Sequence, residues 1–194
     1  PQYTTAFAGV DGFACQTTPY QCNGNASNYT TLTWSTSGTG VFSNTSILNP
    51  VYTASAADIS AGSVTLTLTA DGSTGVVTDV MTLVFQQPST SVAGANAATC
   101  SGVMFANTDA TASNFTHLTW TSSGNGTFSN PNVINAEYFP GSDDITAGNV
   151  VLTLAASNQS CAAATSSKTL TVHATPAPAV TGESISCALT EGVV

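Results

Sequence analysis

Apolar and polar residues alternate in short runs along this chain. In Ser63–Ala70, Val64, Leu66, Leu68 and Ala70 fall on one face, and Thr65, Thr67 and Thr69 on the other. Val150, Leu152, Leu154 and Ala156 repeat the pattern, and Leu32 with Trp34 is matched by Leu118 with Trp120. A period of two with one apolar side predicts strands that bury one face. Asp79–Phe85 and Lys168–His173 read as closing strands. Two such sheets packed face to face bury both apolar sides.

The strands recur as a block. Asn28–Asn44 and Asn114–Asn130 are identical at 11 of 17 positions, and Ala57–Ala70 and Asp143–Ala156 at nine of 14. The offset is 86, and Cys15, Cys100 and Cys187 keep nearly the same spacing. A unit of that length suits an independent β-sandwich. The expected organisation is a first repeat at 1–88, a second at 89–175, and a segment 176–194 that restarts the pattern. That segment reads as a linker and the first strand of a following repeat, or as a strand donated to a neighbouring chain. With no initiating Met and no signal peptide, the chain reads as a piece of a longer array.

Turn chemistry fits. Ser37-Gly38-Thr39-Gly40 and Ser123-Gly124-Asn125-Gly126 follow the Trp strands, and their glycines are expected to supply positive φ. Ser55 and Asp58 form a capping-box pattern ahead of one helical turn, Asp58–Ala61, with Gly62 at its left-handed end. The second copy keeps Asp144 and Gly148 but has Gly141 at the cap.

Composition narrows the function. The 194 residues include one cation, Lys168, against ten carboxylates, and 56 Ser and Thr. One lysine cannot displace counterions from phosphates, which excludes nucleic-acid binding and argues against anionic membranes. No apolar run approaches the ~18 residues of a membrane span, so no membrane insertion is expected. With 42% apolar residues the chain can still bury a core.

The blocks LTWSTSGTGVFSN, the following Tyr52 and Tyr138, and the D-I-x-A-G-x-V-x-L-T-L run resemble the Ig-like or PKD-like tandem repeats of Bacteroidota secreted surface adhesins and gliding-motility-associated proteins exported by the type IX route. The resemblance covers nearly the whole chain. It implies an all-β fold of two tandem Ig-like sandwiches plus the opening strand of a third unit, an extracellular or cell-surface location, and no catalytic residues or cofactor.

Five cysteines suit an oxidising compartment. Cys100 with Cys161 is the expected bond, pinning the connection between the last two strands of repeat two to its opening strand. That loop of about 60 residues would contribute roughly 4 kcal/mol. Cys15 with Cys22 would close a small loop, and Cys187 would await a partner in the next unit or another chain. Repeat one has Thr74 and Gly75 where Cys161 would fall. There is no C-x-x-C and no His pair for a metal.

Trp34 and Trp120, in phase with Leu32 and Leu118, read as core residues with Leu66 and Leu152, rather than as sugar-stacking platforms. His117 and His173 read as solvated strand residues. Asp58, Asp143 and Asp144 read as helix caps rather than Ca²⁺ ligands. The threonine row could face ice or another surface, but threonine is also simply a good strand residue. Asn25, Asn28, Asn44, Asn114, Asn125 and Asn158 stand in sequons and could carry sugars in a glycosylating host. The leading functional expectation is a non-catalytic repeat of an adhesin, stalk or filament, joined head to tail to neighbouring repeats or identical chains by strand addition. The alternative is a glycan- or surface-binding module that would use Tyr20, Tyr29, Phe105 or Phe139.

Overall fold

A computed structural model describes residues 2–175. The chain divides into two compact units. One holds residues up to Pro88 together with Gln159–Cys161; the other holds Ser89–Asn158 and the chain from Ala162 on. The expected 176–194 unit and strand donation, with Val180, Ile185, Leu189 and Cys187, lie outside the described residues.

Unit 1 runs β1 (Thr5–Phe7), β2 (Gly12–Cys15), β3 (Tyr20–Gln21), β4 (Asn25–Ser27), β5 (Thr31–Thr36), β6 (Val41–Phe42), β7 (Val51–Thr53), α1 (Ala56–Ala61), β8 (Ser63–Gly72) and β9 (Gly75–Gln86). One sheet has the order β2-β9-β8-β5; the strands opposite form β3-β7-β6 and the short pair β1-β4. The larger sheet is mixed rather than antiparallel throughout, because β2 lies parallel to β9.

Unit 2 repeats this plan. Its elements are β10 (Thr90–Val92), β11 (Ala97–Cys100), β12 (Phe105–Ala106), β13 (Thr111–Ser113), β14 (His117–Ser122), β15 (Thr127–Phe128), β16 (Glu137–Phe139), α2 (Ser142–Ala147), β17 (Asn149–Ser157) and β18 (Ala164–His173). Its sheets are β11-β18-β17-β14, β12-β16-β15 and β10-β13, with β11 parallel to β18. The protein is thus nearly all β: two Ig-like sandwiches in tandem.

The core of each unit lies between its sheets. Leu66 and Leu68 of β8 meet Trp34 of β5, Met81 and Leu83 of β9, and Tyr52 from the facing sheet. Leu152, Leu154, Trp120 and Tyr138 do the same in unit 2. Leu66 and Leu152 are fully buried, and Trp34 and Trp120 are each 2% exposed. Burial alternates strictly along β8, with the threonines on the outer, half-buried side. Each indole donates its N–H to a carbonyl, Trp34 to Ile47 at 3.0 Å and Trp120 to Ile134 at 3.1 Å. Each also heads an aromatic run, Trp34–Phe42–Tyr52 and Trp120–Phe128–Tyr138.

The short helices join the sheets through one buried aspartate each. α1 is capped by Ser55 with the full capping box, and Gly62 adopts the left-handed conformation at φ 83°. The helix begins at Ala56, two residues earlier than the sequence pattern indicates. α2 starts after Gly141, which has no side chain to offer, and ends at Gly148 with φ 75°.

Candidate functional site

A disulfide joins Cys15 to Cys161, at an S–S distance of 2.07 Å and a Cα–Cα distance of 4.8 Å. This corrects both expected pairings. Cys15 ends β2, whose last two residues turn inward. Cys22 is completely buried in the unit 1 core and is a free thiol, so it faces apolar side chains instead of Cys15. Cys161 lies in the β17–β18 turn, and Gln159–Cys161 belong to unit 1 rather than to the sandwich that supplies them. There Ser160 donates its hydroxyl to the Gln86 side-chain carbonyl at 2.8 Å, and the Cys161 sulfur lies 3.5 Å from the Gln86 backbone carbonyl. The Thr17 hydroxyl donates to the Cys15 sulfur at 3.3 Å, since a disulfide sulfur carries no proton. Cys100 is itself disulfide-bonded and is not the partner of Cys161.

Cys15 and Cys100 hold equivalent places. Each ends the parallel strand of its unit, opposite Gln86 and His173 respectively. In each, the residue three further on donates its N–H back to the cysteine carbonyl.

Asp58 is 2% exposed. Burial alone would raise its pKa. The N–H groups of Ser55 and Thr39 and the hydroxyls of Tyr52 and Ser55 outweigh that and lower it to about 2. Its Oδ1 accepts from Thr39 N at 2.8 Å; its Oδ2 accepts from the Tyr52 hydroxyl at 2.8 Å and Ser55 N at 3.0 Å. Asp144 accepts from the Tyr138 hydroxyl at 2.7 Å and Gly141 N at 2.9 Å. These aspartates tie a strand, a turn and a helix together, and their ligands are the protein's own donors. Asp143 is exposed. Among the described residues no group of three or more His, Cys, Asp or Glu could hold a metal ion.

The glycines beside these carboxylates serve a different purpose from the expected one. Gly38, Gly40, Gly124 and Gly126 are not among the positive-φ residues. A Cβ at Gly38 or Gly124 would collide with the Asp58 or Asp144 carboxylate, and at Gly40 or Gly126 with the Tyr52 or Tyr138 hydroxyl. They are glycine because the polar corner occupies the space.

Lys168 is buried, 3% exposed, and bonds Asp109 Oδ1 at 3.0 Å with its ammonium 4.9 Å from the Phe105 ring centre. The Ala95 N–H and the Lys168 ammonium draw the Asp109 pKa down. Lys168 sits opposite Leu152 where unit 1 places Met81 opposite Leu66. The neighbouring core position changes likewise. Cys22 donates its N–H to Pro50 and Asn107 donates its own to Ala136, so Asn107 replaces Cys22. Asn107 also donates through Nδ2 to the Ala136 carbonyl, while its buried Oδ1 has no partner. Sequence reasoning missed this polar insertion. The signal was a lone lysine on a strand whose copy carries Met.

The other candidates scatter. His117 lines an open groove of unit 2 with Phe115, Thr119, Asn132 and Ser157. That groove holds no carboxylate or cysteine to work with the imidazole. His173 ends β18 in an exposed position. Tyr20 and Phe105 pack against the two cores, Tyr29 is 38% exposed and Phe139 47%. They form no aromatic cluster. Among the sequons, Asn28 and Asn114 both adopt φ 54°, a left-handed turn that asparagine tolerates. The amides of Asn28, Asn125 and Asn158 donate to Tyr3, Ser142 and Asn114. Asn25 and Asn44 are exposed.

No family model and no curated protein matches the chain. Among solved structures it is similar to the fibronectin(III)-like modules of Clostridium thermocellum CbhA, with TM-score 0.51 and 15% identity over 89% of this chain and 95% of that one. It also aligns with an I-band fragment of titin, at TM-score 0.38 and 16% identity over 86% of this chain. A third alignment is with the human Desmocollin-1 ectodomain, at TM-score 0.37 and 9% identity over 87% of this chain and 42% of that one. The chain spans 63% of the length of the titin fragment. At these identities the likeness to the CbhA modules is one of fold: tandem Ig-like or fibronectin(III)-like sandwiches.

Proposed function

We propose that this chain is a structural repeat of an extracellular bacterial adhesin, stalk or filament, of the kind found in Bacteroidota proteins exported by the type IX route. Residues 1–88 and 89–175 are successive repeats. Residues 176–194 lead into a following repeat or complete a sheet of a neighbouring chain. The observation that carries this reading is duplication. The Trp–Phe–Tyr run, the aspartate corner and the parallel strand are built twice. The disulfide supports an oxidising, extracellular setting. No described helix is long and apolar enough to cross a membrane.

Electron microscopy of native material tests the proposal. The expected image is a beaded fibre or stalk with a regular axial repeat. Discrete particles that bind a glycan array, and lose binding in a Phe139→Ala variant, would replace it with the surface-binding reading.

A further inference from the structure

Unit 2 differs from unit 1 by a polar pair in its core. Unit 1 has Met81 and Cys22, both in its apolar cluster; unit 2 has Lys168 and Asn107 in their places. The Lys168 side chain and Asn107 are each 1% exposed. Lys168 stands on β18 and Asn107 follows β12, strands of opposite sheets. Two residues before Asn107 is Phe105, whose ring centre lies 4.9 Å from the Lys168 ammonium. Two residues after it is Asp109, whose Oδ1 bonds that ammonium at 3.0 Å. The groups flanking the ammonium are the residues that bracket Asn107, which brings its carboxamide to the amine. That carboxamide is only half held. Its Nδ2 donates to the Ala136 carbonyl at 2.7 Å, while its Oδ1 is the one buried side-chain oxygen or nitrogen among the described residues without a partner. An orphaned buried carbonyl is destabilising, and here it leaves the amide carbon open to a nucleophile.

We propose that Lys168 and Asn107 join in an intramolecular amide bond, with Asp109 as the proton carrier. Lys168 passes one proton along its hydrogen bond to Asp109, and the freed Nζ lone pair attacks Asn107 Cγ. The Nζ–Cγ bond forms, and the Cγ–Nδ2 bond breaks with its electron pair going to nitrogen. Asp109 hands its proton to the leaving nitrogen, and a second proton from Nζ follows the same route. Asp109 ends as the carboxylate it began as. Lysine ammonium and carboxamide become amide and free ammonium, so atoms and charge balance without an oxidant or cofactor. Enclosure in the core holds the two reactants in place. The Asp109 side chain, 48% exposed, links the buried amine to solvent and gives ammonium a way out. The product clamps β18 to the opposite sheet of unit 2 through a bond that reductant does not open. Until it closes, Lys168 is the ammonium of an ion pair, and the response of that pair to substitution and to proteases belongs to this open state.

The intact mass of the full chain, reduced and denatured, tests this. It is expected to fall short of the sequence mass by one ammonia, and peptide mapping is expected to find the Lys168 and Asn107 peptides as one branched species. Lys168→Met and Asp109→Ala are each expected to show the full sequence mass. The first lacks the amine; the second keeps both reactants and loses the proton carrier. Should either variant fail to fold, the mass and peptide map of the unaltered chain decide alone. An unaltered chain at its full sequence mass overturns the proposal. So does the loss of one water in place of ammonia, which would put the bond on Asp109. Ammonia loss that persists in Asp109→Ala overturns the proton-carrier role. Neither the bond nor its test depends on the stalk reading.

Discussion

The carboxylate of Asp58 fills the space that a Cβ at Gly38 would need, and Asp144 stands in the same relation to Gly124. A turn and a helix far apart in sequence are therefore fitted to one another at a single atom. Gly38→Ala or Gly124→Ala should force a hydrogen-bonded, buried carboxylate out of place and cost about 2–4 kcal/mol in urea denaturation. Gly62→Ala meets open space and strains only the backbone at φ 83°, so about 1 kcal/mol is expected. Equal losses at the two sites would contradict the steric account.

Acid should act through Asp58. Its folded pKa is lowered to about 2, below the unfolded value near 3.9. A depressed carboxylate stabilises fully above the unfolded pKa, and that stability is lost as pH falls from about 4 towards 2. The amount is about 2 kcal/mol. Asp58→Asn should flatten this part of the stability–pH profile, measured by denaturant midpoint at each pH.

Lys168 and Asp109 should respond unequally to substitution. Lys168→Met copies the side chain that unit 1 already accommodates at Met81, and leaves a carboxylate whose side chain is 48% exposed. Its effect should stay within about 1 kcal/mol of neutral. Asp109→Ala strands a buried ammonium and should cost about 2–3 kcal/mol. Thermal or chemical unfolding of the two variants side by side would show the ordering, and a reversed ordering would refute it.

Burial pushes the Cys22 thiol up to about 11. Little thiolate forms at neutral pH, and solvent does not reach the sulfur. Iodoacetamide should leave Cys22 unmodified in the native protein and alkylate it once denaturant opens unit 1, as read by peptide mass. Rapid native labelling would show that the core opens far more readily than its packing implies.

The sandwich was legible because β8 and β17 alternate without exception and because the Trp blocks occur twice. The buried Trp, Leu66 and Leu152 follow from phase alone. Cysteine pairing was not legible in this way. Phase says which face Cys22 occupies but not that Cys161 leaves its own sandwich, since three residues of a turn carry no periodic signal. The glycine turns misled for a related reason: positive φ is a local property, whereas the crowding at Gly38 comes from a helix twenty residues away. Lys168 was visible as a composition oddity, but its partner came from a loop, Asp109, whose position only tertiary packing sets.

The sealed ammonium of Lys168 has one more consequence. It is the one lysine of a sequence without arginine, so the only bond of that sequence that trypsin-like proteases recognise, the one following Lys168, runs through the middle of β18. Digestion by such enzymes must wait until that sandwich opens. A surface without a single accessible cleavage point is suited to long residence among secreted proteases of this specificity.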